Sequence, residues 1–250
     1  MARLPVVRGW NCAAGRYGAG RRSRIARWRC PGCFMGDCRG LERARMPSLK
    51  TRPLKRFAIV GALCVAVFGI GGMHSFLVMN QPADAEILVV EGWVPEYALR
   101  SAALEFNRGG YSLLVTTGGP SEKDCPGCPT SAAISARRIV KLGVKEANVI
   151  AVPAPYVAFD RTLTSAQAFK KFLDGSDMRL SKGVNILTVG PHARKTYTVY
   201  RKVLPPGVHI GMISVPTDDY DPRFWWASPA GIKWVSRDMA GYLYALLFYW

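Results

Sequence analysis

Residues 184–203 read VNILTVGPHARKTYTVYRKV, and this stretch decides the class of fold. Its first part is a short, largely apolar run, which predicts a buried strand. Gly190 and Pro191 end that run, and apolar residues then recur at helical spacing up to Val203. A buried strand that leads through a tight turn into a helix is the building unit of parallel α/β sheets.

The same unit recurs along the rest of the chain. The pattern predicts five strands and five helices in alternation: strands over 87–90, 112–117, 148–152, 184–189 and 208–215, and helices over 95–107, 131–142, 164–173, 192–203 and 231–248. Strict alternation predicts a doubly wound, mainly parallel sheet with helices on both faces and right-handed crossovers. We therefore expect a three-layer α/β domain over residues 86–250.

Residues 57–79, FAIVGALCVAVFGIGGMHSFLVM, carry no charged side chain. A helix of about 20 apolar residues crosses a bilayer, so this segment predicts a transmembrane helix, with residues 80–85 as a linker and His74 at the interface. Basic residues precede the segment, which predicts a cytoplasmic N-terminus and a domain outside the cytoplasm. The alternative is a cleaved signal peptide ending at 83–85, but the apolar run is longer than the usual ~7–15 residues.

The net charge of +17 is unevenly distributed. Residues 1–56 hold fifteen of the 34 Lys and Arg residues and two acids, so the predicted domain is close to neutral. This argues against nucleic acid as a partner. The composition of residues 1–56 predicts disorder. One interpretation is that this segment is a basic arm. The other is that translation starts at Met46, so that residues 1–45 come from a start site assigned too far upstream. The basic leader that follows Met46 favours this second interpretation.

Ligands of open α/β sheets bind beyond the carboxyl ends of the strands. Glu91 and His192 follow strand ends and are the candidate catalytic residues for proton transfer. Candidate ligand-binding residues at the same edge are Gly92, Gly118, Gly119, Arg161, Thr162, Ser165, Arg194 and Lys195. Cationic side chains and helix N-termini suit a phosphate or carboxylate. The structural alternative is that Asp160 and Arg161 only cap a helix, and Thr164 with Gln167 fits a capping box.

No nucleotide-binding glycine motif follows the first strand, which argues against a dinucleotide or nucleotide, and we expect no cofactor. No nucleophile-elbow serine is present, so the usual serine of α/β-hydrolases is missing. The few histidines give no metal-binding pattern, and we expect no metal.

The cysteine pairs Cys30–Cys33 and Cys125–Cys128 fall on opposite sides of the predicted helix, which excludes a shared zinc site. Cys125 and Cys128 predict a local disulfide or free thiols, with a redox-active pair as the alternative.

The outer domain resembles the bacterial envelope family that includes SanA, ElyC and YdcF, a family without an established reaction. The matching segments, in order, are ILVVEGW, LLVTTGG, FDRTLTSAQA, VGPHARKTYTVYRK and VSRDMAGYLYALLF. Arg161, Thr162 and Ser165 are similar to the family's R-T-x-x-S motif, and His192 with Lys195 to its H-x-x-R. Lys195 keeps the charge of that arginine but not its planar fork, for which Arg194 is a candidate substitute. The resemblance implies an inner-membrane protein that supports the envelope barrier or peptidoglycan and lipid-carrier metabolism.

These observations give three hypotheses for function. The first is a membrane-anchored protein that binds and processes an anionic small molecule or lipid-linked envelope precursor, as a hydrolase or transferase. The second is a non-catalytic binding or scaffold protein, and the third is a thiol oxidoreductase that uses Cys125 and Cys128. The sequence does not distinguish an enzyme from a binding protein, and it leaves the ligand and the oligomeric state open.

Overall fold

The computed structural model of the chain describes residues 52–123, 125, 127–176 and 182–249. Residues 1–51 of the basic segment predicted over 1–56 lie outside the described residues, and with them the predicted start at Met46 and the pair Cys30–Cys33.

Five strands form one parallel sheet in the order β3-β2-β1-β4-β5. The strands are β1 Ile87–Glu91, β2 Leu113–Gly118, β3 Val149–Pro153, β4 Gly183–Val189 and β5 His209–Val215. The predicted parallel α/β sheet is thus confirmed, with each strand within one residue of its expected bounds. One antiparallel bridge joins Gln81 to Met212, so the segment predicted as a linker over 80–85 is held against the sheet.

The helices lie on both faces of the sheet. They are α1 Arg52–Leu77, α2 Glu96–Arg108, α3 Ser131–Lys141, α4 Arg161–Asp174, α5 His192–Val203 and α6 Pro229–Phe248, with 3₁₀ helices at Glu146–Asn148 and Pro222–Ala227. Helices α2 and α3 pack on the face that carries Leu88 and Val90. Helices α4 and α5 pack on the other face, against Ile87 and Val89. Successive strand side chains point to opposite faces, so two hydrophobic cores enclose the sheet.

Helix α4 begins earlier than the sequence predicts, and the capping box proposed for it is wrong. Asp160 precedes the helix in the left-handed region, with φ of 60°, which lets Arg161 start the first turn. Thr164 is already inside that turn, where its hydroxyl donates to the Arg161 carbonyl at 3.0 Å. A hydroxyl that bonds backward inside the helix does not cap the amino end. The earlier start brings Thr162 to the edge of the sheet.

Helix α1 covers most of the predicted membrane segment, and its last turns pack against the domain. Leu77 is fully buried together with Tyr220, Trp225 and Val235. His74, predicted at an interface, is buried instead, with its ring centroid 5.8 Å from that of Tyr220. Within the described residues, we find no helix both long enough and apolar enough to span a membrane.

Candidate active site

The candidate site lies where the order of the strands reverses. β1 has β2 on one side and β4 on the other, and the helices that follow β1 and β4 pack on opposite faces of the sheet. The two connections diverge and leave a crevice beyond the strand ends, which is where open α/β sheets bind ligands. Glu91 ends β1, and His192 begins α5 just after β4. The structure thus brings the two predicted catalytic residues together.

The imidazole of His192 lies between a carboxylate and a hydroxyl. Its Nδ1 is 2.7 Å from Oδ1 of Asp238, and its Nε2 is 3.3 Å from Oγ1 of Thr162. Because a carboxylate only accepts, Nδ1 donates to Asp238, which fixes the ring and leaves Nε2 to exchange a proton. This is the geometry of a general acid–base histidine oriented by an acid.

Glu91 completes what we call the acid–base cluster: Glu91, Thr162, His192 and Asp238. Its side chain is only 2% exposed, and its Oε2 accepts hydrogen bonds from the hydroxyls of Thr188 at 2.5 Å and Thr196 at 3.4 Å. Oε2 also lies 3.8 Å from Nε2 of His192. The two hydroxyls compensate the buried carboxylate, which faces the ring nitrogen that exchanges the proton.

Lys195 lies one helical turn after His192 on α5. Burial lowers the pKa of Lys195, while the charges of Glu91 and Asp238 raise it by less. Gly241 of α6 leaves room for this side chain, since a Cβ at that position would lie 3.0 Å from Cδ of Lys195. The structure therefore places the predicted cation beside the acid–base cluster.

The other polar ligand-binding candidates have different surroundings. Arg161 is exposed at the start of α4, next to Thr162, and Ser165 is buried on the same helix. The Nε of Arg194 donates to the Phe76 carbonyl, and its guanidinium lies 4.2 Å from the centroid of the Phe76 ring. Arg194 therefore binds α1, so it is a poor substitute for the arginine fork that Lys195 lacks.

The predicted glycines serve close packing between β1, β2 and the start of α3. A Cβ on Gly92 would lie 2.7 Å from backbone atoms of Ser131 and Thr117, and one on Gly118 would lie 2.2 Å from Oγ of Ser131. Gly118 also has φ of +144°, which side chains rarely adopt. A Cβ on Gly119 would meet a carbonyl oxygen at 2.9 Å. A packing role explains all three glycines without a ligand.

A cavity of about 200 Å³ opens beside the acid–base cluster. Its lining includes four aromatic residues and two acids, together with proline, valine and threonine side chains. We call this space the aromatic cavity and describe it by Trp93, Tyr97, Tyr220, Trp234, Asp219 and Asp238. Trp93 joins the two regions, since its ring meets the His192 ring edge-on at 4.9 Å and stacks with Trp234 at 6.5 Å. Asp238 belongs to both. The cluster therefore adjoins a space that can hold a ligand.

Sequence reasoning missed Asp238, the residue that orients His192. It is the single acid in α6, a helix otherwise rich in apolar side chains, and it is 2% exposed. A lone acid in such a helix was the available signal, because a buried carboxylate requires a partner. Thr188 and Thr196 were also missed, since a hydroxyl on a strand or helix carries no distinctive pattern.

The cysteine pair of the predicted domain is bonded. Cys125 and Cys128 form a disulfide with a Cα–Cα distance of 5.5 Å, which is one of the two states that the sequence left open. It lies in the loop before α3, and the N–H of Cys128 donates to the Cys125 carbonyl at 3.1 Å. Glu122 lies close to both sulfurs, but thiols joined in a disulfide are not available as thiolate ligands.

No protein-family model matches the chain, and no curated protein matches it.

Proposed function

We propose that the protein is an envelope enzyme that uses His192 for acid–base catalysis on an anionic precursor. The reaction class is hydrolysis or transfer of a group linked through phosphate or carboxylate. The observation that carries the proposal is the buried hydrogen bond of 2.7 Å between Asp238 and His192, with the hydroxyl of Thr162 at the other ring nitrogen.

In the proposed reaction, Nε2 of His192 takes the proton of an attacking water or hydroxyl group. Asp238 holds Nδ1–H throughout and stabilises the imidazolium that forms. The Nε2 proton then passes to the leaving oxygen, which returns the ring to its starting state. Glu91, 3.8 Å from Nε2, stabilises the same imidazolium from the other side. Thr162 acts as a positioning residue that holds Nε2 towards the crevice.

The anionic part of the substrate is expected near the amino ends of α4 and α5. Both helices begin at the edge where the crevice lies, at Arg161 and His192, and helix N-termini attract anions. Lys195 supplies a partly buried positive charge beside the cluster, and Arg161 an exposed one. A phosphate or carboxylate held there lies next to the proton-transfer group.

The cellular setting is part of the proposal. We propose that the chain belongs to the SanA, ElyC and YdcF-like envelope family, and that the uncharged run over residues 57–79 anchors it once in the bacterial inner membrane. The last turns of α1, which pack against the domain, then lie outside the bilayer. The uncharged run of 23 residues and the preceding basic residues support this orientation. The N-terminus then lies in the cytoplasm and the α/β domain outside it, where envelope precursors are processed.

A second candidate is a binding protein without turnover, and the aromatic cavity is the observation that favours it. A cavity of about 200 Å³ with four aromatic residues in its walls can hold a small group without any chemical step. The thiol oxidoreductase hypothesis has less support. The disulfide lies in a loop, whereas reactive thiols of that class lie at the amino end of a helix.

The test compares the full-length protein with two variants in an envelope extract, analysed by mass spectrometry before and after incubation. Wild type is expected to deplete one species and form a product, and His192→Ala is expected to form none. His209→Ala is the matched control, because this histidine is exposed at the start of β5. Equal product formation by His192→Ala contradicts the acid–base role. A species that co-purifies with wild type but is never converted favours the binding protein.

A further inference from the structure

The walls of the aromatic cavity combine electron-rich rings with negative charge. Trp93, Tyr97, Tyr220 and Trp234 supply four rings, and Asp219 and Asp238 supply two carboxylates. Among the described residues, no Lys, Arg or His lines this cavity. The faces of aromatic rings attract cations through their quadrupole, and carboxylates add full charges. Such a space favours a positively charged group over an anion.

Two phenol hydroxyls lie unused beside this negative charge. The oxygens of Tyr97 and Tyr220 are buried and have no hydrogen-bond partner in the described part of the chain, and the Tyr220 side chain is only 8% exposed. Burial, and after it the charges of Asp238 and Asp219, raise the pKa of Tyr220. A buried hydroxyl without a partner is costly, so these oxygens point to a ligand.

The outer wall already makes a contact of the same type. The guanidinium of Arg237 lies 4.7 Å from the centroid of the Trp234 ring, and the ammonium of Lys233 lies 5.9 Å from it. Neither residue lines the cavity. The Trp234 ring therefore already makes a cation–π contact within the chain.

We propose that the aromatic cavity binds an alkylammonium group of the substrate, so that the substrate carries an ammonium as well as the anionic group. This inference rests on the proposed function for the anionic part, whereas the cavity alone supports the ammonium. The ammonium lies against the rings, Asp219 and Asp238 neutralise its charge, and the phenol oxygens face its polarised hydrogens or methyl groups.

The test measures binding of choline and of 3,3-dimethylbutan-1-ol to the full-length protein in a maltoside detergent by titration calorimetry. The two probes have the same shape and differ in charge. Choline is expected to bind at least about tenfold more tightly, because cation–π contacts and carboxylates act on it alone. Equal affinity of the two probes overturns the proposal.

Paired variants locate the site. Trp234→Leu is expected to weaken choline about tenfold, and Asp219→Asn roughly fivefold. The matched controls are Trp226→Leu and Asp218→Asn, which are expected to leave choline binding unchanged because neither residue lines the cavity. Asp219 is exposed, so its variant tests the site even if Trp234→Leu fails to fold. Choline binding that neither variant weakens overturns the proposal.

Further arms separate this inference from the proposed function and identify the source of the ammonium. His192→Ala is expected to keep choline affinity within about twofold, because His192 does not line the cavity. If wild type binds choline and 3,3-dimethylbutan-1-ol equally but still forms product in the envelope extract, the inference is overturned and the proposed function stands. Dihexanoylphosphatidylcholine that binds more tightly than phosphocholine indicates a lipid headgroup, and equal binding indicates a water-soluble ammonium compound. Either outcome supports the ammonium site.

Discussion

The acid–base cluster and the aromatic cavity share Asp238 but differ in almost every other respect. In the cluster, every polar side chain has a partner: Glu91 has two threonine hydroxyls, and His192 has Asp238 and Thr162. In the cavity, the hydroxyls of Tyr97 and Tyr220 have none in the described part of the chain. A cluster in which every polar group is hydrogen-bonded is preorganised for proton transfer, whereas buried hydroxyls without a partner can bind a ligand. This difference supports our proposal that the acid–base cluster carries out the chemistry and that the aromatic cavity binds the ligand.

Both regions are expected on the same side of the membrane. The test of this topology has the largest expected effect, because a reporter is either active or inactive. Reporter fusions after residue 90 are expected to be active only outside the cytoplasm, and fusions at residue 50 only inside it. An enzyme reporter that requires the oxidising compartment measures the first, and a cytoplasmic reporter the second. Cytoplasmic activity after residue 90 contradicts the anchor, although it leaves the chemistry of the cluster open.

The glycines at the carboxyl ends of β1 and β2 are expected to contribute to the stability of the fold and not to ligand binding in either region. Gly118→Ala introduces a Cβ 2.2 Å from Oγ of Ser131 at φ of +144°, which we expect to lower the free energy of unfolding by about 1–3 kcal/mol. Gly175→Ala is the matched control, because its φ is −90°. Chemical denaturation measures both. A stable Gly118→Ala variant that binds ligand poorly contradicts the packing role.

Much of this fold was predictable because buried strands and amphipathic helices leave a periodic pattern. The pattern gave every strand of the sheet, and the rule about carboxyl ends brought Glu91 and His192 to one edge. Asp238 was not predictable in its role, because α6 reaches His192 only through tertiary packing. The cavity was missed for a similar reason. Tyr97 and Trp234 lie on helices where an aromatic side chain ordinarily belongs to a core.

Arg161 is expected to contribute to binding of the anionic group but not to binding of the ammonium. Arg161→Ala should weaken phosphocholine by about 1 kcal/mol, a size typical of an exposed charge, and leave choline unchanged. Arg161→Lys is expected to recover part of the loss, because an ammonium keeps the charge without the planar fork. Titration calorimetry with both probes measures the difference. If Arg161→Ala lowers the melting temperature without changing phosphocholine affinity, Arg161 has only a structural role.

The smallest effect concerns Lys195 and pH. Burial lowers the pKa of Lys195 in the folded chain below its usual 10.5, so the folded chain loses this proton at lower pH than the unfolded chain. The free energy of unfolding therefore rises as pH increases through that interval. Lys195→Met is expected to be more stable than wild type at pH 7 by about 0.5 kcal/mol. Its free energy of unfolding is expected not to rise over that pH interval. Denaturation at several pH values measures this, with Lys171→Met on an exposed position as control.

The division of roles between the two regions is tested most directly by one paired measurement on His192→Ala, turnover and choline affinity in the same preparation. The account predicts that turnover of the species identified in the envelope extract falls about 10²–10⁴-fold, the range for a general acid–base group. It also predicts that choline affinity stays within about twofold, because recognition belongs to the aromatic cavity. Turnover that survives the substitution, or a loss of choline affinity as large as the loss of turnover, contradicts the account.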